Sequence, residues 1–199
     1  AGDRAMDQFN GNETQYRLAA ATYLLQPGTP FIYYGEEIGM RGAQSLSGDP
    51  KLRTPMSWTS SNTGSGGFTT GTPFRALSSN VATNNVQTQQ ASSNSLLNWY
   101  KTVIAVRQAN PALRSGTHVS ATAAATTLSF QRTTGNQRAV VMINYGSGPA
   151  LIAAGGLPAN GVLTEVFPQP GINNANIDAG GNASASIPAQ SLRVFVIAI

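Results

Sequence analysis

The sequence predicts an α/β segment followed by an all-β domain, with the change of texture at residues 113–116. Two observations carry that division. The short apolar run Phe31-Ile32-Tyr33-Tyr34 is rich in β-formers and bounded by Pro27-Gly28 and Gly35. Such a run reads as a strand buried on both faces, as in parallel sheets. Beyond Leu113 the helical period disappears, and short apolar or alternating runs recur between Gly and Pro punctuation. That pattern reads as a small antiparallel β-sandwich of roughly 85 residues.

Taken in order, residues 12–26 place Tyr16, Ala19, Ala20, Tyr23 and Leu24 at helical spacing. Asn12 or Thr14 can cap this helix, and Pro27-Gly28 ends it. The strand at residues 31–34 follows. Residues 40–94 then form a long irregular stretch containing SNTGSGGFTTGTPF and NNVQTQQASSNS. Connections of this length are usually functional or disordered. A polar loop leaving the C-terminal end of a buried strand is where α/β folds, barrels above all, carry their chemistry. The stretch is therefore expected to face a substrate. A second helix is predicted over residues 95–109, with Leu96, Leu97, Tyr100, Val103, Ile104 and Arg107 on one face. Asn94 or Ser95 caps it, and Asn110-Pro111 stops it.

In the β domain, residues 127–132 and 138–145 flank the TTGNQ turn as a hairpin. Further strands are predicted at residues 150–153, 161–167, 183–187 and 192–199.

The bulk numbers exclude several classes. A 41% hydrophobic content permits a real core, and no run approaches a membrane span. The net charge is +4, yet the twelve basic residues are scattered and only two are Lys, so nucleic acid is not an expected partner. With no cysteine there is no disulfide framework, thiolate metal site or Cys nucleophile. Only 10% of residues are charged, and the surface is Asn/Ser/Thr-rich, a texture common in exported bacterial proteins. Secretion or a periplasmic location is the expectation. The chain opens at Ala1-Gly2-Asp3 without an initiator Met, as expected of a piece of something longer.

Several motifs resemble the C-terminal end of the catalytic (β/α)8 barrel of the α-amylase family of glycoside hydrolases. PGTPFIYYGEEIGM resembles that family's eighth barrel strand and the loop beyond it. The pattern D-x-x-x-R-x-P-M-x-W is met by Asp49, Arg53, Pro55, Met56 and Trp58. Gly67-Phe68 to Pro73-Phe74 resembles the next stretch, where many members have Trp in place of Phe74. SLLNWYKTVIAVRQANPALRSG resembles the eighth barrel helix and the start of the β-sandwich C-domain. The implied architecture is the last βα unit or units of a TIM-type barrel (residues 1–113) followed by an antiparallel β-sandwich (residues 114–199).

The resemblance implies a retaining glycosidase cleaving α-1,4 links in starch or maltodextrins. Its aspartate nucleophile, glutamate acid/base and second aspartate sit on earlier barrel strands. The last belongs to an Asn-His-Asp motif expected just before Ala1. No Asn-His-Asp occurs here and the single histidine, His118, falls in the sandwich, so no catalytic residue is expected in this chain. Asp3 and Asp7 do not follow Asn-His and do not inherit that role, while Arg4 is placed near the same rim. Glu36 and Glu37 are no substitute. Retaining chemistry needs carboxyl groups about 5–5.5 Å apart, and neighbours on an extended segment point to opposite faces.

The expected substrate-binding residues are Asp49 and Arg53, which the resemblance places at the sugar, with Trp58 and Phe74 (or Phe68) as stacking faces. A carboxylate accepts from vicinal hydroxyls while a guanidinium donates in a fixed fork. Apolar sugar faces pack on aromatic rings. Tyr33 and Tyr34 are assigned to the core. No metal site or cofactor is expected in this chain, although family members often hold calcium elsewhere. Partners are an α-glucan or maltooligosaccharide and the missing N-terminal part of the enzyme. The rival reading is a non-catalytic carbohydrate-binding or stabilising β-sandwich. Within the family, α-glucosidase, cyclomaltodextrinase and transglycosylase remain open.

Overall fold

A computed structural model describes residues 3–60 and 65–199; Ala1-Gly2 and residues 61–64 of the SNTGSGG stretch lie outside the described residues. The chain packs as two units, Ala1–Arg17 with Phe31–Thr102, and Leu18–Pro30 with Val103–Ile199.

Six α-helices are described. They are α1 (Ala5–Gln8), α2 (Glu13–Leu25), α3 (Asp49–Leu52), α4 (Val86–Gln90), α5 (Leu96–Ala109) and α6 (Pro111–Arg114). Asn12 caps α2, its Oδ1 accepting from the Gln15 N–H at 3.2 Å. Ser95 caps α5, its Oγ accepting from the Asn98 N–H at 3.2 Å. The division between the units falls inside both long helices.

The first unit differs most from expectation. Residues 31–34 form no strand, and Phe31 is 85% exposed, with Tyr33 and Tyr34 only half-buried rather than core. The physical reason is pairing: a strand exists through neighbours, and none runs beside this segment among the described residues. Two of its carbonyls are satisfied otherwise. Tyr33 O accepts from the Glu36 N–H at 3.0 Å, and Tyr34 O from the Arg4 guanidinium at 2.7 Å. Glu36 and Glu37 lie on a 3-10 turn, Glu36–Ile38, rather than an extended segment. Gly35 enters that turn at φ 84°, and a Cβ there would collide with the Met40 sulfur.

The polar excursion is more ordered than its composition suggests. It contains α3 and α4, and three amide side chains hang it on the 3-10 turn. Asn80 donates to Gly39 O at 3.0 Å and accepts from the Arg41 N–H at 3.0 Å. Asn84 donates to Ile38 O at 2.9 Å. Gln89, buried, donates to Ile38 O at 2.8 Å and accepts from the Leu97 N–H at 2.9 Å. Ile38, Met40 and Leu97 close over this frame with Met56 and Val86 as a small apolar core.

The second unit is the expected sandwich. Its strands are β1 (Thr117–Ala124), β2 (Thr127–Thr133), β3 (Gln137–Asn144), β4 (Ala150–Ala154), β5 (Val162–Phe167), β6 (Ala175–Asn176), β7 (Ala183–Ile187) and β8 (Ser191–Ala198). A six-stranded sheet runs β1-β2-β3-β8-β5-β6 and faces a β4-β7 pair, with antiparallel pairing throughout. Val140, Met142, Leu163 and Phe195 from the large sheet meet Ile152, Ala185 and Ile187 from the small one. The β2–β3 hairpin closes as predicted, with the Thr134 N–H on Gln137 O at 2.9 Å. β1 was not predicted. Its Thr-His-Val-Ser-Ala-Thr-Ala-Ala sequence lacks apolar alternation because the whole strand is exposed at the sheet edge.

Candidate functional site

The excursion builds a groove of about 450 Å³ within the first unit, lined by Tyr34, Arg53, Thr54, Pro55, Met56, Phe68, Phe74 and Arg75. Its setting follows from local sequence. Gly48 adopts φ 62° and Pro50 sits in the first turn of α3, so a single helical turn starts at Asp49. That turn sets Asp49 and Arg53 four residues apart on one face. Arg53 Nε donates to the Asp49 carboxylate at 2.9–3.0 Å. Both side chains are more than half exposed. The ion pair holds the guanidinium by its Nε edge.

Aromatic surface surrounds this fork. Phe74 is 95% exposed and Phe68 about half, an unusual outlay of apolar area for a surface loop. The Arg75 guanidinium lies 5.3 Å from the Phe74 ring centroid, a cation–π distance. The floor is stiffened from below. Tyr34 donates to Thr54 O at 2.8 Å. Arg4, buried, donates to Leu52 O at 3.0 Å and lies 4.5 Å from the Tyr34 ring centroid. Burial pushes the Tyr34 phenol above its ordinary pKa, against the opposing pull of the Arg4 charge. Thr54 Oγ1 is buried and has no hydrogen-bond partner among the described residues. The groove thus combines exposed aromatic rings with an exposed guanidinium, while the Thr54 hydroxyl lies buried beneath it.

Of the four residues expected to bind, Arg53 and Phe74 line the groove, and Asp49 stands behind Arg53 as its ion-pair partner. Trp58 is not among the lining residues. Its backbone is docked on both sides, the N–H on Gly66 O at 2.8 Å and the carbonyl accepting from Gln87 N–H at 3.0 Å, and its ring is 47% exposed. Sequence reasoning missed Tyr34, assigned to the core because its strand was taken as paired. It also missed Arg75, whose only signal was adjacency to Phe74. Arg4 serves as a buried strut rather than a rim group, and Glu37 Oε2 is buried with no hydrogen-bond partner among the described residues. His118 is exposed on β1, and Asp3 pairs with Lys51.

Residues 2–116 match the family model described as Alpha amylase, catalytic domain. The alpha-amylase SusG of Bacteroides thetaiotaomicron is 40% identical over 114 residues, 57% of this chain and 16% of that protein. The trehalose synthase/amylase TreS of Mycolicibacterium smegmatis is 39% identical over 116 residues, 55% of this chain and 19% of that protein. Among solved structures, trehalulose synthase MutB from Pseudomonas mesoacidophila MX-45 superposes with a TM-score of 0.73 at 21% identity, over 98% of this chain and 41% of that one. The chain therefore spans under a fifth of the length of these curated relatives, and the structural likeness is one of fold. With the family model matching more than half of its residues, this chain belongs to the alpha-amylase family of glycoside hydrolases.

Proposed function

We propose that this chain is the C-terminal portion of a retaining α-amylase-type hydrolase acting on α-1,4-glucosidic bonds of starch or maltodextrins. The observation that carries the reading is the groove, where the Asp49–Arg53 pair stands beside the exposed rings of Phe68 and Phe74. In this role Arg53 donates to sugar hydroxyls, Asp49 orients it, and the aromatic rings take the apolar sugar face. The catalytic carboxylates come from the rest of the enzyme. The exposed, unpaired segment at residues 31–34 is the surface on which the remaining barrel strands pair. Transglycosylation stays within this reading, since TreS carries a synthase activity in its name beside amylase.

The rival reading, a binding module in which aromatic rings exposed on the sandwich stack against sugar, finds no such platform among the described residues. Phe130, Phe167 and Phe195 are buried, and the Tyr145 hydroxyl is held by Thr22 at 2.6 Å. Among the described residues no group of three His, Cys, Asp or Glu could hold a metal ion.

The test is hydrolysis of maltotetraose, followed by NMR of the new anomer. The full enzyme is expected to release the α-anomer first, and the 199-residue chain alone to release nothing. Initial release of the β-anomer, or turnover by the chain alone, overturns the proposal.

A further inference from the structure

A second cavity, of about 460 Å³, opens in the sandwich unit between β7, β8 and the segment leading into β6. Its polar lining is Asn173, Asn174, Ser184, Ser186 and Arg193, and Pro149 and Pro188 supply apolar faces. Two of these residues grip a buried charge. Glu165 on β5 is fully buried, and its Oε2 accepts from the Asn173 N–H at 3.0 Å and the Asn173 amide at 2.8 Å. Its Oε1 lies 3.7 Å from Arg193 Nε and has no hydrogen-bond partner among the described residues. The Glu165 N–H donates to Asn174 Oδ1 at 3.0 Å, which fixes that amide and leaves its NH2 group for another acceptor.

Burying a carboxylate is costly unless it is paired and hydrogen-bonded. Here the arrangement holds an arginine and two asparagines in one orientation at the wall of a concavity. We infer that the cavity is a binding site for a neutral polyhydroxylated ligand, a sugar unit, separate from the aromatic groove. The charge balance selects the class. Glu165 cancels Arg193, so an anion meets a buried negative charge and a cation meets a guanidinium. What remains is a neutral set of donors and acceptors: the Asn174 NH2, the outer N–H groups of Arg193 and the hydroxyls of Ser184 and Ser186. A polyol, whose hydroxyls donate and accept at once, satisfies that set. Flanking prolines suit the C–H face of a pyranose. The volume falls in the range of small-molecule sites.

The site is argued from its own residues, so it can fail while the groove reading stands. The test is a titration of the 199-residue chain with maltose, read by 15N–1H shifts, with glucose 6-phosphate and choline as charged controls. Saturable shifts at Asn173, Asn174, Ser184 and Ser186 are expected for maltose and not for choline. Glucose 6-phosphate is expected to bind at least tenfold more weakly. The variant S186V, at an exposed strand position where a β-branched residue fits, is expected to weaken maltose at least tenfold while the β7 amide spectrum stays folded. S184A is the second variant should S186V disturb the strand. Absence of saturable shifts here, shifts confined to Phe68, Phe74 and Arg53, or unchanged affinity in the folded variant overturns the inference.

Discussion

Arg107 and Arg132 both donate to the carbonyl of Gln26, at 2.7 and 3.3 Å. Arg107 reaches Leu24 O and Gly28 O as well, while Arg132 reaches Leu25 O, Leu113 O and Gly116 O. The last carbonyls of a helix lack partners within it and carry partial negative charge. Two cations therefore close the end of α2, and each of these acceptors is a backbone carbonyl. Burial lowers the pKa of Arg107, and burial together with the Arg107 charge brings Arg132 down to about 10. Both stay protonated at neutral pH.

Arg107→Met removes three charge-assisted hydrogen bonds and leaves the buried Leu24 carbonyl without this donor, so it is expected to cost about 3 kcal/mol. Because Arg132 shares an acceptor with it, the double variant is expected to be non-additive. Urea denaturation of both singles and the double measures this. Additive losses would show that the two side chains act independently.

Asn85 sits fully buried at the start of α4, its Oδ1 accepting from the Thr88 N–H and its amide donating to Val81 O, each at 2.9 Å. Asn85→Ala is expected to cost about 2 kcal/mol through the lost cap and the stranded carbonyl. Asn85→Ser, which keeps the cap, should recover part of that loss in a thermal melt.

Asp49→Asn probes ligand binding apart from folding. The Asp49–Arg53 pair is exposed, so its loss should change stability by less than about 1 kcal/mol. If the pair orients Arg53 toward sugar, affinity for maltotetraose in the full enzyme should fall about tenfold, on the scale of one hydrogen bond to a charged group. Calorimetric titration beside a melting curve separates the two, and a drop in stability with unchanged affinity would assign the pair to scaffold alone.

The carboxyl of Asp178 is held below its ordinary pKa, chiefly by the Asn182 N–H, with help from the Asn182 side chain and the Gly180 N–H. A folded pKa below the unfolded one means that the unfolded chain binds more protons. The stability from this turn is present above the unfolded value, about 3.9, and lost as pH falls through the folded one. Asp178→Asn should therefore melt lower than the parent at pH 6 and converge with it toward pH 2. A constant gap across that range would refute the linkage.

What could be read from the chain alone divides along a physical line. The two long helices and six of the eight strands carry their own periodicity, and they formed within a residue or two of expectation. Residues 31–34 read as a buried parallel strand, yet they are exposed and form none, because strand pairing is a property of neighbours and not of a tetrapeptide. β1 was invisible because an edge exposed on both faces imposes no hydrophobic pattern. At the groove, Arg53 and Phe74 were legible from a motif. Arg75 and Tyr34 arrived through loop geometry that no local spacing encodes.

The three amides that hang the excursion on the 3-10 turn also bear on how the groove tolerates substitution. Asn80, Asn84 and Gln89 hold the excursion to the 3-10 turn near its C-terminal end and α3 lies near its start, so the exposed rings of Phe68 and Phe74 are not what ties it down. Under the proposed function, substitutions at the exposed Phe68 and Phe74 can alter ligand preference at little cost in stability.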